Sequence, residues 1–313
     1  MKILEDNNGY ITSMILLMLL LIIILLLIIT IDEQSYYINN TAETIESNKL
    51  TSVTNDFQEE IPQITKQTLS DITRQTVKDD KPLTNSRTTI KNKIQEEIDN
   101  KEIDYKKKTG CNINCEINNL NPSENPFQIE IEYTIKTTYN NKSTVKITKQ
   151  EHVPLTDSQY PVYDPLPTLK TGIKPTNNNI HYGKQLQEII NTNNSQVYDN
   201  ATQGYIIREC PYQEYEKHGH NNTTIMDCIT NHYYHKSHDG LCIFCRLENK
   251  TACKDMGLET FILPTKNVTS APVSVDHVLL NTTPNSQYHG NRIVINNTMV
   301  IYLDDGHKTK YGL

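Results

Sequence analysis

The sequence predicts an α+β protein: an N-terminal transmembrane helix continuing into a long amphipathic helix, a small antiparallel sheet, then a mixed α/β Cys/His-rich region. Three observations lead there. An uncharged apolar block fills Ile11 to Ile31, a polar stretch with helical spacing of apolar residues follows, and strict alternation begins at Gln128. The order gives a short leader over 1–10, a span over 11–31, a helical stalk over 32–105, strands over 106–153 and a Cys/His-rich distal region over 154–313.

The apolar block is the first element. Its 21 positions are almost entirely Leu, Ile and Met, and at 1.5 Å per residue they cover about 30 Å, the thickness of a hydrocarbon core. Each central Leu or Ile favours insertion by roughly 0.3–0.6 kcal/mol, and no Asp, Lys or Arg at roughly +3 kcal/mol opposes it. A cleaved signal peptide is the competing reading, but its apolar region is about 7–15 residues long and ends in small residues. Here the block ends in Thr30-Ile31-Asp32-Glu33, which favours a retained anchor. The bilayer is therefore the first expected partner, through Ile11–Ile31.

Lys2 and the α-amino group precede the span, and no Lys or Arg follows it until Lys49. The positive-inside rule then puts the N-terminus in the cytoplasm and the bulk outside. Ten Asn-x-Ser/Thr acceptors, at Asn39, Asn141, Asn193, Asn200, Asn221, Asn222, Asn249, Asn267, Asn281 and Asn296, agree with an exported, glycosylated domain. A net charge of −7 offers no basic surface for phosphates and argues against nucleic acid.

Beyond the span, Ile38, Ala42, Ile45, Val53, Phe57, Ile61, Ile64, Leu69, Ile72 and Val77 recur at helical spacing, predicting a long helix interrupted near Pro62. A second helix is predicted over 86–101, with Ile90, Ile94 and Ile98 four apart and Ser86 as its cap. The narrow apolar stripe fits a helix packed on the following sheet or bundled in a stalk better than a partner-binding coiled coil, whose repeat would be longer and more regular.

Ile129, Ile131, Tyr133 and Ile135 then alternate with polar residues, Asn140-Asn141-Lys142 makes a turn, and Val145 and Ile147 continue on the return. That is a hairpin, which the preceding helices would cover. Pro161, Pro165, Pro167 and Pro175 punctuate an extended connector. After it come a helix predicted over 183–191 and short strands predicted over 205–207, 241–247, 258–263, 273–280, 292–295 and 299–303.

A short polar leader ending in Gly9, an unbroken apolar span and a long polar helix leading into a sheet resemble the plan of archaeal pilin-like membrane-anchored surface proteins. The resemblance covers the N-terminal segment. It implies processing beside Gly9 and assembly through the apolar helix.

Reactive side chains concentrate between Cys210 and Cys253, which holds Cys210, Cys228, Cys242, Cys245 and Cys253 with His218, His220, His232, His235 and His238. One reading is a structural zinc site: His232 and His235 on one helical face, with Cys242 and Cys245, supply a tetrahedral His2Cys2 set. Against it, Cys242-Ile-Phe-Cys245 reads as strand, where positions three apart face opposite ways about 10 Å apart. Disulfides among Cys210, Cys228, Cys242, Cys245 and Cys253 are the ordinary extracytoplasmic alternative, and Cys111 and Cys115 would close a small loop if the backbone turns there. Seven cysteines is an odd number, so one thiol at least is free, metal-bound or intermolecular.

No phosphate-cradling glycine loop, paired-His protease helix or GxSxG elbow occurs. Cys210 or Cys228 combined with Asp276 and His277, or with Asp304 and His307, is the only nucleophilic arrangement the chain suggests, and Asp304-Asp305-Gly306-His307 reads as a turn. The expectation is a single-pass surface protein with a structural or binding role and protein or envelope partners. A pilin-like filament subunit comes second, and a thiol- or metal-dependent extracytoplasmic hydrolase third.

Overall fold

The computed structural model describes residues 7–140, 143–156, 162–171, 208–211, 233–238, 240–250, 253–260, 291–295 and 299–303. Its first element is one helix, α1, Asn7–Asp79, 73 residues without a break. From Thr12 to Ile45 every residue is exposed, and from Leu50 onward one side of α1 is core. The first part is long and apolar enough to cross a membrane. Threonine, a poor helix former, is tolerated because its hydroxyls bond back one turn: Thr41 to Tyr37 O, Thr44 to Asn40 O, Thr51 to Ser47 O and Thr73 to Leu69 O.

The expected interruption at Pro62 does not occur, because the helix runs through it. Pro62 removes one backbone hydrogen bond, a cost of about 3 kcal/mol. Its neighbours repay that by burial: Phe57, Ile61 and Leu69 are wholly inaccessible, and each such side chain contributes about 1.5–3 kcal/mol.

Helix α2, Ser86–Thr109, begins where the periodicity places it and runs two turns further. Lys106, Lys107 and Lys108 in its last turn face the negative end of the helix dipole. Gly110, at φ +74°, closes it in the left-handed conformation that glycine adopts without strain. The cap is Asn85, whose side chain accepts from the Thr88 N–H, and not Ser86. Ser86 is fully buried and bonds elsewhere.

Three strands, β1 (Asn112–Pro122), β2 (Gln128–Tyr139) and β3 (Ser143–Pro154), form an antiparallel sheet in that order. The predicted alternation is realised: Ile129, Ile131, Tyr133 and Ile135 are inaccessible, opposite Val153, Glu151, Lys149 and Ile147 of β3. A bulge between Ile117 and Asn119 shifts the β1–β2 register once. Both helices cover the inward face, and Thr54 of α1 donates to Thr137 of β2 across the junction, 2.8 Å.

The described distal pieces comprise helix α3 (Leu166–Thr171), strand β4 (Arg208–Glu209), strand β5 (Tyr233–Ser237), helix α4 (Ile243–Leu247) and strand β6 (Gly257–Thr260). The sheet order is β4-β5-β6, parallel then antiparallel. Strands β7 (Asn291–Ile295) and β8 (Met299–Leu303) pair antiparallel where the sequence places them. The helix expected over 183–191 and the strands over 205–207 and 273–280 lie outside the described residues. The expected strand over 241–247 is a correction: its last five residues, Ile243–Leu247, form helix α4. Short-range propensity favours extension there, but packing overrides it, since Ile243, Phe244 and Leu247 join the same core that runs from Leu50 through the sheet to Leu258.

Candidate metal centre

Cys242 is the N-cap of α4, and Cys245 lies within the helix. The helical turn brings together two thiols that an extended chain would have turned apart. The chain then reverses at Asn249, φ +52°, with Lys250 N–H donating to Cys245 O, and returns through Cys253. Cys245 Sγ lies 3.0 Å from Cys253 Sγ, which is 3.5 Å from Cys242 Sγ. All three sulfurs fall within 4.8 Å of one another, and among the described residues this is the one group placed to hold a metal ion. Cys242 and Cys245 are buried and Cys253 is half-buried.

Backbone donors converge on these sulfurs. The Cys245 N–H bonds the Cys242 sulfur, and the N–H groups of Cys242 and Asp255 bond the Cys253 sulfur. Hydrogen bonds with the Cys242 and Cys245 thiols hold the Cys253 thiol far below its ordinary range, outweighing burial. Hydrogen bonds with its two neighbours, and burial, push Cys245 the other way.

Two glycines let the loop close. Backbone bonds join Leu241 and Leu258 in both directions, at 3.3 and 3.2 Å. That approach leaves no room at Gly240 or Gly257, where an added Cβ would come within 2.7 Å of Gly257 C and 2.4 Å of Leu241 C respectively. Arg246 fills the space behind: it donates to Asp164 through Nε and Nη2 and to Leu258 O through Nη1. Asp164 also accepts from the Leu166 N–H, so one carboxylate joins the proline-rich connector to the cysteine loop.

The loop sits on the start of α2. Ser86 donates its N–H to Glu248 Oε1 at 2.7 Å, and its single hydroxyl proton is shared between Glu248 Oε1 at 2.7 Å and Phe244 O at 3.1 Å; Leu83 N–H donates to Leu247 O. Arg87 pairs with Asp255 at 2.6 Å and lies over the Phe244 ring.

Several sequence expectations are revised here. His235 lies in strand β5, not on a helix, and is outside the metal-capable trio, and His238 is exposed beyond β5. His232 and Cys228 fall outside the described residues, as do His218, His220, His277 and His307. Cys210 is buried beside β4, where its N–H bonds Tyr234 O. Cys111 and Cys115 do not close a loop: β1 starts at Asn112, and four extended steps carry the chain about 13 Å from one to the other, beyond disulfide reach. Both are buried core thiols.

Of the glycosylation candidates, Asn39 is exposed on α1. Asn249 is half-buried, and its Nδ2 donates inward to Leu169 O. That packing makes it a poor acceptor in the folded chain. Asn141, Asn193, Asn200, Asn221, Asn222, Asn267, Asn281 and Asn296 lie outside the described residues.

Asp164, Arg246, Glu248, Arg87 and Asp255 were not singled out by sequence reasoning, and Ser86 was singled out only as a helix cap. Arg246 carried a signal, because a lone charge inside Leu241–Leu247 must find a buried partner. No family model matches this chain, and no match was found among curated proteins or solved structures.

Proposed function

We propose that this chain is a single-pass membrane-anchored surface protein, N-terminus in the cytoplasm, whose head has a structural or binding role in the cell envelope. One observation carries the reading: the exposed apolar segment and the helix that enters the core are the same unbroken helix, α1. From Ile31 to the first buried residue, Leu50, the rise is about 28 Å, so the head would stand clear of the headgroups. Tyr10 and Tyr36 are separated by 26 positions, about 39 Å along a helix, which matches the distance between the two aromatic belts of a bilayer. Lys2 against a positive-free stretch as far as Asn48 supports the orientation.

Protease added to intact cells tests this. The expected result is loss of everything beyond the stalk and survival of a short membrane-bound fragment. Protection of the head until cells are broken would reverse the orientation, and a soluble product lacking the first thirty or so residues would replace the anchor by a cleaved signal.

A filament subunit assembled through α1 is the second reading. Tyr36, Tyr37, Ile38 and Ile45 favour it, being 62–68% exposed on the stalk with nothing among the described residues covering them. Leader loss beside Gly9 together with long polymers would put this reading first.

A further inference from the structure

We propose that Cys242, Cys245 and Cys253 are three ligands of one structural zinc ion, which closes the loop between α4 and β6 and clamps it to the start of α2. The inference is independent of membrane topology. Its first support is distance: tetrahedral zinc with bonds of about 2.3 Å spaces thiolate sulfurs about 3.8 Å apart. The three sulfurs here converge at 3.0 and 3.5 Å, within 4.8 Å overall. A disulfide would draw two of them to about 2.05 Å and exclude the third.

Zinc with three thiolates carries one net negative charge. Lys250, which acts electrostatically on Cys245 and Cys253, and Arg87, which grips Asp255 beside Cys253, bring cations to its rim, each of them also paired with a carboxylate. N–H groups of Cys242, Cys245 and Asp255 point at sulfur, the outer contacts that orient thiolate ligands. Soft thiolates and no bound carboxylate in the trio favour zinc over magnesium or calcium.

The loop also needs the constraint. Helix α4 has five residues, too few to be stable by itself, yet its carbonyls and Glu248 accept the hydrogen bonds of Leu83 and Ser86. Zinc fixes α4 against Cys253, and the fixed α4 presents those acceptors. Each thiol that is protonated releases its proton when zinc binds, so no oxidant or reductant takes part.

The experiment is metal analysis of the full-length chain, purified in detergent under reducing conditions without chelator. One zinc per chain is expected. Cys245→Ser and Cys253→Ser should each lose it, and Cys111→Ser, in the core of β1, should keep it. Because the first two variants face misfolding, the wild-type chain supplies a second reading. Without chelator, Cys242, Cys245 and Cys253 should resist alkylation in peptide mass mapping, and stripping zinc should expose all three together. Cobalt exchanged into the site should give the visible bands of a tetrahedral thiolate complex. The proposal is overturned by a metal-free native protein whose three thiols alkylate freely, by a disulfide joining any two of them, or by iron or copper in place of zinc.

Discussion

Arg246 and Asp164 meet as a two-pronged pair sealed from solvent: Nε to Oδ1 at 3.0 Å, Nη2 to Oδ2 at 2.9 Å, with side-chain exposures of 0% and 3%. The pair lies 82 positions apart in sequence and ties the connector to the cysteine loop. Removing one partner leaves a buried, uncompensated charge, at a cost of about 3–5 kcal/mol. Arg246→Leu or Asp164→Leu should therefore lower the denaturation midpoint of the head sharply. The double variant should recover part of the loss, which a denaturant titration of all four proteins measures. Simple additivity of the two single losses would refute the coupling.

Gly257→Ala should destabilise the cysteine loop, because its Cβ would meet backbone atoms at 2.4–2.5 Å and backbone cannot swing aside. A cost of about 1–3 kcal/mol is expected from overpacking. Gly110→Ala is the control: its Cβ has 3.8 Å to Tyr139, so only the left-handed strain of about 1 kcal/mol applies. Thermal melts should rank the two in that order.

Glu248 links pH to docking. Burial raises its pKa, but hydrogen bonds from Lys250 and Ser86 outweigh that and lower it overall. A carboxyl lowered on folding stabilises the fold above its unfolded pKa, and that stability fades as pH falls through the folded value. Wild type should thus lose melting temperature as the pH drops below the ordinary carboxylate range. Glu248→Gln should melt lower at neutral pH, by the about 1.5–3 kcal/mol of a charged hydrogen bond, and show a flatter acid dependence. Parallel curves for the two proteins would rule out this role.

Cys115 should be chemically silent in the folded protein. Burial, with Glu102 and Asp99 nearby, pushes its thiol up to about 12, so almost no thiolate exists at pH 8. Alkylation followed by mass spectrometry should label it only after denaturation. Labelling at a rate typical of exposed cysteine would contradict its place in β1.

On the proposed anchoring, Leu21→Arg should weaken membrane insertion of the apolar part of α1 by roughly 3 kcal/mol. The head, whose buried side of α1 begins at Leu50, should keep its structure. Fractionation of cells expressing the variant should move protein out of the membrane pellet, and unchanged partition would remove the span from consideration.

Where one segment decided its own conformation, it was legible in the sequence. Ile90, Ile94 and Ile98 marked the buried face of α2, and Ile129 to Ile135 marked that of β2, because a helix or a strand imposes its period on whichever residues face a core. Pro62 misled, because a local rule gave the cost of a missing hydrogen bond but not the burial of Phe57 and Ile61 that offsets it. Cys242-Ile-Phe-Cys245 misled for a related reason: strand propensity was weighed without Phe244 and Leu247, which lock the segment as helix against the core.

The sequence by itself determined the apolar helix, the helix-then-sheet order and the concentration of cysteine between 210 and 253, since these follow from periodicity, composition and short-range turn chemistry. Tertiary structure alone decided that Cys242, Cys245 and Cys253 share one point, that Asp164 answers Arg246, and that Ser86 bonds Glu248 instead of capping its helix. Apart from Cys242 and Cys245, three positions apart on one turn of α4, those partners lie 8 to 162 positions apart. Their meeting depends on how the chain closes between them, and no local pattern encodes that.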